Sequence, residues 1–527
     1  MHRHAVWTYC NVPRKYTSPP TEAQLMHPNP RLISERLLAR DKFKPATIVN
    51  LLAAAWIQFQ VHDWAQHFNS DTEEWDVPLQ QSDSWTEEHM KVYKTQRDRP
   101  LDKQDQKYPA YRDENTHWWD GSQIYGSTEN ATVALRAKTN DGTLTMDDRA
   151  HEAFLPRDAS GIPLTGFNQN WWLGLELMHT LFALEHNAIC SRLRVQNPTW
   201  TGDQLFDTAR LVNCALMAKI HTIEWTPAIL AHPTLNIAMN ANWSGLVGAK
   251  LSHLQQRSHQ RDPKQRCRLR RSSILPDRRI RLRLPPSSTN PRRYRLLLRH
   301  DWGSQGQHPH WRSRIEKAHT PFNNDALTFA DAFYSFGMNY PGAITVHNTP
   351  SFLRDLHTPD GRHLDMGVVD ILRDRERGVP HYCQFRRLFH MPAPKNFLAL
   401  TGGNAKLATE LVTVYENDIE AVDLLVGCLC EPLPEGFGFS DTAFRVFILM
   451  ASRRLKSDRF IATDFKDEVY TREGIEWVQN NTMKDVLCRH FPELRASLRD
   501  VKNAFAPWEK IGRSAEYKGV ETNAPPS

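Results

Sequence analysis

The stretch LLAAAWIQFQVHDW, Leu51 to Trp64, constrains this chain more than any other. Its apolar surroundings, Ala46 to Phe68, are interrupted by Asn50, Gln58, Gln60, His62 and Asp63. Those polar groups are wrong for lipid and right for a buried helix that carries polar work. On such a helix Gln58 and His62, four residues apart, share one face, while Asp63 points about 100° away. One helix can then serve two sites. A lone buried histidine is more often a structural hydrogen-bonder than a catalyst. The glutamine on its face and the aspartate beside it turn the reading toward chemistry.

The texture around this helix is mainly helical from Arg31 to Leu254 and again from near Leu327 to about Ala506, with little strand alternation. The expected organisation is a truncated N-terminal segment over 1–30, one large domain over 31–506 and a polar tail over 507–527. Eight cysteines show no C-x-x-C spacing, so reduced thiols are expected and a zinc or disulfide framework is not. The first thirty residues contain no apolar signal core and no stretch suits a membrane span; an intracellular protein is the expectation.

The formal charge of +6 comes from one place. Between Arg257 and Arg314, sixteen Arg and one Lys face Asp262, Asp277 and Asp301, a net of +14. The remaining residues hold 49 bases and 57 acids, a net of −8. A nucleic-acid arm would need stacking aromatics or a groove-reading helix, and the insert offers only Tyr294, Trp302 and Trp311 without such order. No nucleic-acid partner is expected.

The segment THWWDGSQIYGS supplies oxygens on alternate residues: Thr116, Trp118 through its carbonyl, Asp120 and Ser122. Ca²⁺ takes six to eight oxygens, carboxylates and carbonyls among them, so this loop is a plausible half-cage that Asp63 would complete. Thr, Asp and Ser also crowd ordinary turns, which is the plainer reading.

Together, Q-x-x-x-H-D on a helix followed by T-x-W-x-D-x-S-x-x-Y-G-S resembles the distal-haem and calcium motifs of animal haem peroxidases. The form W-I-Q-F-x-x-H-D-W is similar to that of the fatty-acid α-dioxygenases within that superfamily. NWWLGLELMHTLFALEHNAIC, KIHTIEWTPAIL, FYSFGMNYPGAIT and VDLLVGCLCEPLPEGFGFSDTAFRVF extend the resemblance over roughly Asn11 to Ala506, the basic insert excepted. It implies a mainly α, single large helical domain with few short strands, and an oxidoreductase that uses haem and Ca²⁺ to add O₂ to a long-chain fatty acid. Peripheral membrane association would be compatible with that substrate. His62 resembles the distal histidine and Gln58 its polar neighbour; Asp63, Thr116, Trp118, Asp120 and Ser122 resemble the Ca²⁺ ligands. NVPRKYT resembles a segment that follows an N-terminal region in relatives, so the chain is expected to start late.

Departures from the mammalian peroxidases select the chemistry. Their peroxide-cleaving Arg falls near Asn168, and their haem-linking Glu and Met fall near Trp171 and Trp172. Indoles form neither ester nor sulfonium links, so haem b is expected to be held non-covalently, and an oxygenase is favoured over a peroxidase. On the helix beginning near Ser440, Phe444, Phe447, Ile448, Ala451, Arg454 and Leu455 form one stripe. A guanidinium at the end of an apolar stripe suits a carboxylate, and an internal ion pair suits it as well. The resemblance implies that Arg454 anchors the fatty acid's carboxylate and that Phe447 lines its channel.

One expected part is absent. Relatives carry a proximal histidine that ligates iron and, just before it, a tyrosine whose radical takes the substrate's α-hydrogen, in a motif like PYSLT-E-E-F-V-x-V-Y-R-x-H-P-L-x-P-D. Nothing here reads so; the motif should fall between Trp243 and Phe333. Residues 273–293, SILPDRRIRLRLPPSSTNPRR, can however be written in codons whose next frame encodes PYSLTDEFVSVYRLHPLIPDD. Agreement over that many consecutive positions predicts that Arg257 to about Arg314 is out-of-frame translation. As written, no proximal ligand is assignable, though His300, His308, His310 and His319 lie nearby. Loss of activity is the expected consequence. The rival readings are a haem peroxidase or another fatty-acid dioxygenase, a non-catalytic fatty-acid-binding remnant, and a nucleic-acid-binding protein using the insert.

Overall fold

In a computed structural model the chain is described over residues 21–98, 111–149, 152–159, 161–233, 328–358 and 361–508, with isolated positions between 235 and 243. The basic insert, the proximal motif expected within it, the four nearby histidines and most of the tail lie outside the described residues.

The described elements used below are α1 (Leu51–Val61), the hairpin β1 (Asn69–Val77) and β2 (Met90–Thr95), the small hairpin β3 (Asp147–Arg149) and β4 (Glu152–Phe154), α2 (Leu173–Gln196), α3 (Gly202–Ile220), α4 (Phe329–Met338), the hairpin β5 (Leu356–His357) and β6 (His363–Leu364), α5 (Met366–Glu376), α6 (Asp441–Ser457), α7 (Asp467–Asn480) and α8 (Met483–His490). Helices dominate and each sheet has two strands, the mainly α architecture expected. Among the described residues no helix is long and apolar enough to cross a membrane.

Local chemistry sets where the helices start. Thr201 with Gln204, Thr328 with Asp331 and Thr482 with Asp485 form reciprocal capping boxes at α3, α4 and α8, and Ser440 caps α6. Each satisfies backbone donors that the first turn leaves unpaired. α2 runs through the centre, with α3, α1 and α7 packed around it. Trp56 of α1 lies 5.4 Å from the Phe182 ring and 5.5 Å from Phe505, joining α1, α2 and the C-terminal segment in one aromatic knot. Each such buried ring contributes roughly 2–3 kcal/mol through area removed from water. Asn50 caps α1 and donates to the carbonyls of Ala504 and Ala506, both at 2.8 Å, so the start of α1 is fixed to the end of the domain.

The helical texture read from Arg31 onward does not hold between His62 and Trp172, where the described residues include two hairpins and two short helices. β1, NSDTEEWDV, is exposed along most of its length and so shows no apolar alternation. Its partner β2 buries Met90 and Val92 at period two, and Thr95 is buried off that register at the strand's end.

Candidate active site

α1 carries the site. Helical backbone continues one residue past its end, through His62, whose carbonyl accepts from Asn115 Nδ2 at 2.8 Å. The His62 ring is buried against Phe167, 4.1 Å between centroids, and burial lowers its pKa to about 4. It is therefore neutral near pH 7, and its Nδ1 is buried without a hydrogen-bond partner among the described residues. Gln58, on the same face, is clamped at both ends: its Nε2 donates to the Asn170 carbonyl at 3.3 Å and its Oε1 accepts from Trp172 Nε1 at 2.8 Å. Trp171 donates instead to Glu176 Oε2 at 2.8 Å, and Glu176 is paired with Arg157 at 2.6 Å. Asn168 donates to the Pro163 carbonyl at 3.2 Å. The residues at the three departures thus have specific hydrogen-bonding tasks.

Asp63, the next residue, leaves the helix end in a different direction and meets the Trp-Trp loop. Ser122 donates both its backbone N–H, at 2.7 Å, and its hydroxyl, at 2.8 Å, to Asp63 Oδ1. The same N–H reaches Asp120 Oδ1 at 3.2 Å, and the Thr116 hydroxyl donates to Asp120 Oδ2 at 2.9 Å. Gly121, at φ 70°, makes the turn that points both neighbours inward; a Cβ there would stand 2.8 Å from the Tyr125 ring. Two carboxylates share one donor in a buried place, and burial with the Asp120 charge pushes the Asp63 carboxyl well above the usual carboxylate range. Hydroxyl lone pairs, carboxylates and the Trp118 carbonyl form an oxygen-only set whose charge suits a hard cation.

Arg454 lies beside this loop. Its Nη2 donates to the Trp118 carbonyl at 2.8 Å and stands 3.8 Å from Asp63 Oδ2, with the guanidinium over the rings of Trp64 and Trp119. The internal ion pair that the pattern left open is therefore present. Arg454 also borders a residue to which the pattern alone gave no role, His221, at the start of a π-helical turn that continues α3. Trp64 and Trp119 pack on the His221 ring at 5.2 and 5.6 Å, and Phe447 of α6 lies 5.9 Å from it. Trp56 Nε1 donates to His221 Nδ1 at 3.2 Å. An indole nitrogen only donates, so the imidazole proton is placed on Nε2. That Nε2 is buried and has no partner among the described residues. Burial and the Arg454 charge lower the pKa of His221 to about 3, which keeps the ring neutral. The structure thus gathers Gln58 with His62, and Asp63, Thr116, Trp118, Asp120 and Ser122 with Arg454; Phe447 joins through His221.

The animal haem peroxidase family model matches residues 8–502. An alpha-dioxygenase of Oryza sativa is 33% identical over 92% of this chain and 81% of its own length. Alpha-dioxygenase 2 of Arabidopsis thaliana is 34% identical over 93% and 80%. The crystal structure of a variant of Oryza sativa fatty acid alpha-dioxygenase with palmitic acid superposes with a TM-score of 0.76 at 31% identity, covering 94% of this chain and 83% of that one. Matched over most of its length by sequence, family model and fold alike, the chain belongs to the animal haem peroxidase family.

Proposed function

We propose that this chain is a haem-dependent fatty-acid α-dioxygenase, which adds O₂ at carbon 2 of a long-chain fatty acid, and that its catalytic competence is interrupted by the out-of-frame stretch at 257–314. The observation that carries the reading is the pairing of neutral His62 with Gln58 on one helix face, Gln58 being fixed at both ends by the Asn170–Trp172 segment. The likeness to alpha-dioxygenases in sequence and fold supports it.

The distal residues fit a haem. A buried imidazole with an unpartnered nitrogen, beside an amide already locked by an indole, is a preorganised polar edge awaiting a further group. Bound haem supplies the one-electron oxidising power. Trp171 and Trp172 leave it non-covalently held. His62, neutral, can hold a proton on one ring nitrogen and accept at the other. Asp63, Thr116, Trp118, Asp120 and Ser122 would hold Ca²⁺, locking the loop to α1 and so fixing where the His62 ring sits.

The orphan Nε2–H of His221 beside the Arg454 charge supports a carboxylate seat between them. Phe447 would begin the apolar wall for the acyl chain, continued by the half-buried Phe444 and Ile448 of the same stripe. Arg454 would then act in both places, as anchor and as tie to the cation loop. One domain over 31–506 and an intracellular site agree with this reading, and the six cysteines of the described residues are free.

A haem titration tests the proposal. The chain as written and a chain with the frame restored over 257–314 are each mixed with haem and read in the visible range. A Soret band in the restored chain alone is expected. No band in either would overturn the haem assignment, and equal bands in both would overturn the lesion.

A further inference from the structure

Far along the sequence from α1, the β5–β6 hairpin places His357 directly opposite His363. Its loop is closed by Thr358 N–H donating to the Arg362 carbonyl at 2.8 Å, with Gly361 at φ 83°. The two imidazoles lie nearly parallel, 4.0 Å between centroids, and the His363 ring also stacks on Trp85 at 3.6 Å. Asp355, just before β5, brings Oδ1 to 2.6 Å from His363 Nε2 and 3.7 Å from His357 Nε2. Glu87 Oε2 lies 2.6 Å from the other nitrogen, His363 Nδ1. The His363 side chain is only 8% exposed, whereas His357 and Asp355 are 47% and 70% exposed, so the cluster has a closed floor and an open mouth.

A neutral imidazole has one N–H, yet both nitrogens of His363 meet carboxylate oxygens. If Nδ1–H donates to Glu87, Nε2 presents a lone pair to Asp355, an edge that either a proton or a metal cation satisfies. A histidine whose far nitrogen is held by a carboxylate while its near one faces a second histidine and an aspartate is the arrangement in which protein zinc ligands are oriented. Ligand atoms of Asp355, His357 and His363 all lie within 4.8 Å of one another. Around one ion with bonds of about 2.0–2.1 Å, the 3.7 Å contact would need little change, the 2.6 Å contact would open, and the exposed His357 ring would turn out of its stack so that both lone pairs converge on the ion. Two ring nitrogens and one carboxylate favour a first-row divalent transition ion over Ca²⁺, which the oxygen-only loop suits.

The geometry points to a surface site for a Zn²⁺-class ion, with His357, His363 and Asp355 as ligands, solvent in the open position and Glu87 orienting His363. The bound ion ties the hairpin's two strands together at their turn, and through Glu87 and Trp85 ties them to the β1–β2 connection.

Equilibrium dialysis of the full chain, without a histidine tag and with Ca²⁺ in excess, against Zn²⁺ tests this. Wild type is expected to hold one equivalent that His357→Gln and Asp355→Asn, both at exposed positions, each lose. No bound Zn²⁺ in wild type, or undiminished binding in both variants, overturns it. Should the variants fail to fold, the wild-type Co²⁺ complex decides: intense visible absorption from four-coordinate nitrogen and oxygen ligation supports the site, and weak six-coordinate absorption refutes it.

Discussion

Replacing Asp63 by Asn removes one charge at the junction of α1 and the Trp-Trp loop while leaving an Oδ1 that can still accept from the Ser122 N–H and hydroxyl. In wild type, buried Asp63 and half-buried Asp120 face one guanidinium, 3.8 Å from Asp63. That attraction is worth about 4 kcal/mol gross at an effective dielectric constant near 20, and with Asp458 also acting on Arg454 the carboxylates outnumber the one guanidinium, which is why Asp63 is hard to ionise without a further cation. Ca²⁺ is the proposed balance. An ion at about a hundred times its dissociation constant stabilises the folded chain by about 2.7 kcal/mol. With 527 residues and an unfolding entropy of about 2.1 cal/mol/K per residue, that is a rise in Tm of about 2.4 °C. Calorimetry in Ca²⁺ and in EGTA should show this difference in wild type, with Mg²⁺ a poor substitute because it demands a tighter octahedron. Asp63→Asn should abolish most of the difference. Equal Ca²⁺ responses in wild type and variant, or none in wild type, would refute the oxygen cage.

Arg454→Lys in the frame-restored chain keeps the charge and loses the planar fork, so kcat/KM for a long-chain acid should fall about tenfold to a hundredfold; a methyl ester, which has no carboxylate to anchor, should show a far smaller loss. Trp172→Phe removes the indole N–H that holds Gln58 Oε1 and should cost about 1 kcal/mol in denaturant unfolding. His186 is buried between the Tyr125 hydroxyl and the Gly142 carbonyl, and burial lowers its pKa to about 4. Because the unfolded chain binds that proton more readily, the contribution is intact above about pH 6.5 and is lost as pH falls toward 4, by about 3 kcal/mol in all. His186→Gln should therefore flatten the acid limb of a stability-against-pH curve by one proton.

Much of the site was legible because its signals are local. Four-residue spacing put Gln58 and His62 on one face, the next residue turned Asp63 toward a different partner, and alternate oxygens marked Thr116 to Ser122. The β1–β2 hairpin was not, because a strand exposed on both faces has no apolar alternation to read. His221 was visible inside KIHTIEWTPAIL, yet its orphan Nε2 follows from a bond to Trp56, more than 160 residues earlier in the sequence. The second contact of Arg454, the Trp118 carbonyl, likewise has no sequence signature, since any residue supplies a carbonyl. The histidine pair of β5–β6 depends on strand register, which the short loop sets and composition does not reveal.

The most direct measurement is product analysis. The frame-restored chain, loaded with haem and given palmitic acid and O₂, should yield the 2-hydroperoxide and the aldehyde one carbon shorter, identified by mass spectrometry. Oxygen inserted elsewhere along the chain, or turnover of hydrogen peroxide with the acid left unchanged, would contradict the assignment.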